Sequence, residues 1–129
     1  MIVIQKQAID VQVLFDAVHR KDAGAVVLFV GTVRSDRDVV ALDYEVYTSM
    51  ALKQMARLAD RAKEKFGVLE VAIVHRLGRI PVGRASVAIA VSARHRREAF
   101  EAAEWLMDQL KRIVPIWKTE EAPRSRKPA

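Results

Sequence analysis

Three short segments carry the residue types that could hold or transform an anion. Gly31-Thr32-Val33-Arg34 closes a long apolar run. Glycine permits close backbone approach to a ligand, and an arginine can grip a phosphate or carboxylate through two parallel hydrogen bonds. No glycine-rich phosphate loop surrounds the segment, so a strand end with a surface arginine is the plainer reading. Arg94-His95-Arg96-Arg97 opens a helical stretch, with Ser92 as its expected cap. Cations at a helix N-terminus oppose the macrodipole by about 0.3–1 kcal/mol each. A bound anion would offset that cost, because the unpaired N–H groups and the basic side chains would face it together. A solvated basic turn is the alternative. Lys111 and Lys118 form the third candidate. Lys111 falls in a last helical turn, where the dipole welcomes a cation. Lys118 has the setting of an edge-strand lysine that blocks aggregation. Pro115 between them could fold both amines toward one pocket, where a desolvated lysine serves as nucleophile or acid–base group.

Other chemistries are poorly supplied. There is no cysteine, which excludes thiol nucleophiles, thiolate zinc sites and iron–sulfur clusters. His19, His75 and His95 show no HxxxH or HExxH spacing, so no intrinsic metal is expected. His75 has the parity of Val71, Ile73 and Leu77 and reads as a satisfied core histidine; His19 reads as a helix-end residue. Trp105 and Trp117 read as packing or interface residues, since no row of exposed aromatics offers base stacking.

Charge narrows the partner. The 129 residues hold 22 Lys and Arg against 16 Asp and Glu, a net charge of +6. The stretch from Lys111 onward supplies +4 of it, through Lys111, Arg112, Lys118, Arg124, Arg126 and Lys127 against Glu120 and Glu121. An anionic partner is expected: nucleic acid, a phosphorylated small molecule or an acidic protein. With 51% hydrophobic and 29% charged residues, the chain has the composition of one globular domain. The longest apolar run, Ala25 to Val30, is too short to cross a membrane. The first ten residues lack the charged-then-apolar pattern of a signal peptide, and a soluble, cytoplasmic protein is expected.

The elements that must position these residues follow from periodicity. Residues 2–5 read as a strand, and Asp10 caps a helix to about His19. Ala25–Arg34 is a buried strand, and VVALDYEVY alternates as a half-buried one. Thr48 or Ser49 caps a helix to about Phe66, with Leu52, Met55, Ala59, Ala62 and Phe66 inward and Gly67 as the stop. LEVAIVHRLG and ASVAIAVSA are two strands joined through Arg79–Arg84. The last helix starts near Ser92, turns Phe100, Ala103, Met107, Leu110 and Val114 inward, and ends at Pro115; PIWKTEE is extended. The order β-α-β-β-α-β-β-α-β, with three main helices, predicts an α+β fold with a largely antiparallel sheet. Residues 1–121 form one domain, and 122–129 a basic tail expected to be mobile.

Taken in order, LFVGTVR, LDYEVYTSMA, IVHRLGRIPVG, VSARHRREAFEA and LMDQLKRIVPIWKTE resemble the large, catalytic subunit of molybdopterin synthase, from about residue 2 to Glu121. The HRREAFEA…LK…P.WK string is the most specific part. The resemblance implies an α/β hammerhead-type fold and a homodimer within a heterotetramer. Each protomer would bind a small ubiquitin-like sulfur-carrier subunit ending in a Gly-Gly thiocarboxylate. It implies a sulfurtransferase that moves two sulfurs to cyclic pyranopterin monophosphate in molybdenum cofactor biosynthesis, with no cofactor of its own. By the same resemblance Thr32, Val33 and Arg34 form a substrate-binding segment, and His95 with Arg96 a basic pair. Lys111 and Lys118 would be the essential lysines, and Thr119 and Glu120 would continue the second lysine's motif. Lys111 would contact the carrier's terminal carbonyl, as electrophilic stabiliser or transient acyl acceptor, and Lys118 would do acid–base work; Lys111, Lys118, Thr119 and Glu120 would all contact substrate. Two departures stand out: the loop after Arg34 is short, and the chain ends in APRSRKPA where relatives commonly continue.

His95 and Lys111 lie 16 residues apart on one expected helix, or about 24 Å at ~1.5 Å per residue. If both serve one site, they must come from different protomers. The competing reading is a non-catalytic basic α+β domain that binds nucleic acid or an anionic metabolite; charge favours it, and the lack of exposed aromatics and of a nucleic-acid motif opposes it.

Overall fold

The structure, a computed structural model, describes residues 1–36 and 38–123. The basic tail with Arg124, Arg126 and Lys127 lies outside the described residues. Ten elements follow in order: β1 (Ile2–Gln5), α1 (Val11–Val18), β2 (Ala25–Thr32), β3 (Ala41–Val46), α2 (Thr48–Phe66), β4 (Glu70–Arg76), β5 (Gly78–Pro81), β6 (Ala85–Ala93), α3 (Arg96–Ile113) and β7 (Ile116–Glu121).

The fold is α+β with three helices and mostly antiparallel pairing, but the strands divide into two sheets. One is four-stranded, in the order β1-β4-β6-β2, and only its β1–β4 pair is parallel. The other is three-stranded, in the order β5-β3-β7, and wholly antiparallel. The extra strand, β5, lies in the segment expected to be a plain connection. Gly78, at φ +79°, turns the chain out of β4 so that 78–81 pair with 41–44 of β3. A side chain is strained at that backbone angle, which glycine adopts freely.

Helix ends follow local chemistry. Asp10 caps α1 by accepting the Gln12 N–H at 3.0 Å. Gly67 ends α2 in the left-handed conformation, φ +68°. The expected caps of the other two helices are corrected. Tyr47, with no side-chain capping bond, precedes α2, which leaves Thr48 and Ser49 inside it. His95 precedes α3, and Ser92 belongs to β6. Ser92 is fully buried at a central-strand position between Val26 and Glu70, where its Oγ accepts the Glu70 N–H at 3.1 Å.

Most of the core lies between α2, α3 and one face of the larger sheet, while Leu14 and Val18 of α1 cover the other face over Ala72, Val74, Ala88 and Ala90. Met55, Ala59 and Ala62 are buried as their spacing predicts, and Leu52 and Phe66 are half-buried. The inward face of α3 needs correcting. Ala99, Ala102, Ala103, Leu106 and Leu110 point in, and Phe100 is 60% exposed. Ala103, Leu110 and Val114 of the expected row are buried and Met107 packs against the core; Phe100 alone stays out, and Ala99, Ala102 and Leu106 take the central positions of the face. Full burial of side chains such as Met55, Leu58 and Leu106 contributes about 1.5–3 kcal/mol each. A third cluster, of Val33, Val39, Leu42 and Ile80, fastens the second sheet to the end of β2. Among the described residues no helix is long and apolar enough to cross a membrane.

Candidate active site

A cavity of about 720 Å³ opens where the two sheets and the end of α3 meet. Its wall takes Gly31 to Arg34 from the end of β2, Leu42 and Tyr44 from β3, and His75 from β4. Ser86 and Val87 of β6, Met107, Leu110 and Lys111 on α3, and Ile116, Trp117, Lys118 and Glu120 on β7 line it too, with Phe29, Asp36 and Val39 at the β2 side.

Strand periodicity separates Lys118 and Glu120 from Thr119. Tyr44 pairs with Lys118 and Leu42 with Glu120, so these four side chains share the face toward the cavity. Thr119 pairs with Asp43 and stands on the opposite face, in a shallow acidic depression with Arg79, Glu45 and Glu121. Lys111 arrives from the last turn of α3. Val114 and Pro115 turn the chain so that β7 brings Lys118 back toward it, and both lysines line one space. Both are exposed, and among the described residues neither is in an ion pair.

Arg34 is exposed at the rim, 3.9 Å from the Asp36 carboxylate. An exposed pair at that distance contributes little, so the guanidinium is available to a ligand. Val33 plays a different part from its neighbours. Its side chain is buried in the third cluster, and both backbone groups are used: its N–H donates to Arg84 at 2.9 Å and its carbonyl accepts from Gly83 at 2.7 Å. Val33 anchors the segment that presents Thr32 and Arg34. Gly31 is required by packing: a Cβ there would stand 2.7 Å from Val87 Cγ1, beside a register shift at Gly31/Thr32. The close approach is strand to strand, between β2 and β6.

His95 and Arg96 do not line the cavity. They sit at the start of α3, with Lys111 in its last turn, and the helix is continuous between them. Sequence reasoning missed His75 and Tyr44. His75 is 5% exposed, as a core histidine should be, yet it also lines the cavity. Burial holds its imidazole below the ordinary value of 6.5, outweighing the opposing pull of the Arg76 carbonyl. Its Nδ1 lies 2.8 Å from that carbonyl, and the Tyr44 ring packs edge-on at 5.1 Å. The alternating LDYEVY pattern could have flagged Tyr44, since Leu42, Tyr44 and Val46 share one face. Trp117 is 43% exposed, packs edge-on against Tyr47 and donates its Nε1–H to Glu45 at 3.1 Å. The cavity therefore joins three cations, Arg34, Lys111 and Lys118, to a buried neutral imidazole and two rim carboxylates, Asp36 and Glu120.

Comparison with known proteins gives one consistent answer. Residues 4–113 match the family described as MoaE protein. The chain is 48% identical over 110 residues to the molybdopterin synthase catalytic subunit of Thermoplasma volcanium, covering 83% of this chain and 80% of that relative. It is 40% identical over 120 residues to the protein of that name from Bacillus subtilis, covering 91% and 76%. The crystal structure of molybdopterin synthase from Staphylococcus aureus superposes with a TM-score of 0.90 at 35% identity, over 95% of this chain and 91% of that one. A chain in the complex of subunits 1 and 2 of molybdopterin-converting factor from Helicobacter pylori superposes at 0.78 with 26% identity, over 92% and 83%.

Proposed function

The chain belongs to the MoaE protein family, and on that premise we propose that it is the catalytic subunit of a molybdopterin synthase, a cytoplasmic sulfurtransferase. Its substrate is cyclic pyranopterin monophosphate, and its sulfur donor is the C-terminal thiocarboxylate of a small ubiquitin-like carrier. The observation that carries this reading is the convergence of Arg34, Lys111 and Lys118, from three separate elements, on one cavity of about 720 Å³. A nucleic-acid surface would spread its cations along an open face; here they point into one space of small-molecule size.

Each sulfur transferred returns one carrier as a carboxylate, so two carriers are consumed per product. The chain supplies positioning, charge and protons. Arg34 holds the phosphate. Lys111 polarises the carrier's terminal carbonyl, and Lys118 moves the proton at the reacting carbon's oxygen. The exposed lysines become desolvated when the carrier's tail covers the cavity, which strengthens every charge inside it. The reaction needs no resident cofactor, because the sulfur arrives on the carrier.

The working form is a homodimer inside a heterotetramer. Three features support a site shared between protomers. His95 and Arg96 lie about 24 Å along α3 from Lys111. β2 is an edge strand whose Leu28, Phe29 and Val30 are 39%, 37% and 36% exposed in succession, an unpaired apolar edge of the kind a second chain covers. The third is topological. Ala93, two residues before His95, pairs with Ala25 at the start of β2, while Arg34 follows its end. Two β2 strands paired antiparallel about a two-fold axis would set the start of each beside the end of the other. The strand's eight residues span about 27 Å at ~3.4 Å each, close to the separation to be bridged. The partner's His95 and Arg96 would then complete the cationic set around the substrate.

Reconstitution tests the reading. Purified chain, thiocarboxylated carrier and cyclic pyranopterin monophosphate should together yield dithiolene product, with the carrier's mass returning to the carboxylate form. Failure of the carrier to bind would refute it.

A further inference from the structure

His75 takes no part in the reaction outlined above, yet its geometry is that of a group prepared to receive a hydrogen bond. A carbonyl oxygen only accepts, so the 2.8 Å contact with Arg76 fixes the proton on Nδ1 and leaves the lone pair on Nε2. Among the described residues Nε2 has no hydrogen-bond partner, and no buried side-chain nitrogen or oxygen is left without one. Nε2 therefore retains accessible surface, on a side chain that lines the cavity. The ring cannot easily turn away, because Tyr44 packs edge-on against it at 61° between planes.

The groups facing the same space from neighbouring elements make this acceptor distinctive. Arg34, Lys111 and Lys118 can only donate, whereas Asp36 and Glu120 are exposed at the rim. His75 is the buried acceptor. Burial disfavours a positive charge on it and holds its titration below the ordinary 6.5. A phosphorylated ligand held at its anionic end by the cations would present its uncharged end to the buried wall.

We propose that His75 determines specificity for the heterocyclic part of the substrate, its Nε2 accepting a hydrogen bond from a ring N–H. This rests on the sulfurtransferase reading and deepens it, by assigning opposite walls of one cavity to the substrate's two ends. A ligand with phosphate but no such N–H donor leaves Nε2 unpaired. Sites built to pair a substrate donor reject analogues that lack it far more strongly than apolar pockets do.

The test is calorimetric binding of cyclic pyranopterin monophosphate to the full chain without carrier, alongside ¹⁵N spectra of histidine-labelled protein. His75→Leu should weaken precursor binding by about tenfold or more and leave carrier affinity unchanged. His75→Gln, which returns an acceptor oxygen near the Nε2 position, should recover most of the loss. In the wild type, precursor should shift the Nε2 resonance and inorganic phosphate should not. Wild-type precursor affinity in His75→Leu together with an unmoved Nε2 resonance would overturn the proposal and leave the sulfurtransferase reading standing. A wild-type chain that binds no precursor at all would overturn both. If His75→Leu does not fold, the glutamine variant and the wild-type spectra decide.

Discussion

Tyr44 stands directly opposite Lys118 across the β3–β7 ladder, and the same tyrosine packs its ring 5.1 Å from His75. One side chain thus couples a cation of the smaller sheet to the buried imidazole of the larger one. The cavity exists because the two sheets meet there; neither sheet holds Arg34, His75, Lys111 and Lys118 by itself. Val33, buried at 2% exposure and tied through both backbone groups to Gly83 and Arg84, keeps that meeting rigid from the β2 side.

Removing either lysine should stop the chemistry and spare the fold. Lys111→Ala and Lys118→Ala are each expected to lower turnover by about 10²–10⁴-fold, the usual contribution of a positioned proton-transfer or electrostatic group. Both side chains are exposed, so stability should change by no more than about 0.5 kcal/mol. Single-turnover product formation beside a thermal melt separates the two effects, and full turnover in either variant would remove that lysine from the mechanism.

Gly31→Ala should destabilise the chain through β2–β6 packing. The new Cβ would meet Val87 Cγ1 at 2.7 Å, and overpacking of this kind costs about 1–3 kcal/mol. Combining it with Val87→Ala should recover part of the loss, since the two positions share one contact. Denaturant unfolding of the four proteins in the cycle gives the answer; strict additivity would contradict the packing account.

His75 also predicts a pH dependence of stability. Burial lowers its folded-state value below the ordinary 6.5, so the unfolded chain takes up the proton first as pH falls. Stability is then lost as pH drops through 6.5 and until the folded imidazole itself titrates. In His75→Gln this part of the slope should disappear. Unfolding free energies measured between neutral and mildly acidic pH would show it, and an identical slope in both proteins would contradict a buried neutral imidazole.

Much of this was legible in the sequence, for local physical reasons. Asp10 and Gly67 announce helix ends by their own chemistry, and the apolar runs of β4 and β6 read as buried strands. The run of β2 reads the same way, yet β2 lies at the sheet edge and none of its residues is fully buried, because no further strand pairs with it. The misreadings arise where tertiary partners decide. Ser92 has the side chain of a cap, yet it is a central-strand residue bonded to Glu70. Phe100 has helical spacing with Ala103 and Met107, but the alanine-rich side of α3 faces the sheet and Phe100 stays 60% exposed. The lysines were visible as a pair, and their convergence needed the turn at Pro115. Thr119 belongs to the same motif as Lys118 but points to the other face, as the period of two requires. His75 read correctly as buried; that it also borders the cavity depends on Tyr44 and β7, which lie far from it in sequence.

The exposed edge of β2 should behave as an interface. Leu28→Asp, at a position outside the cavity wall, puts a charge into the Leu28–Val30 strip and is expected to convert a dimer into monomers in sedimentation, with turnover falling in parallel. A variant that remains dimeric would move the interface elsewhere.

The most direct measurement is complementation between His95→Ala and Lys118→Ala chains. Each homodimer should be nearly inactive. If the site is shared, random reassortment makes half the dimers mixed, each with one intact site, so activity should return to roughly a quarter of wild type. No recovery on mixing, with mixed dimers demonstrably formed, would contradict a sulfur-transfer site assembled from two protomers.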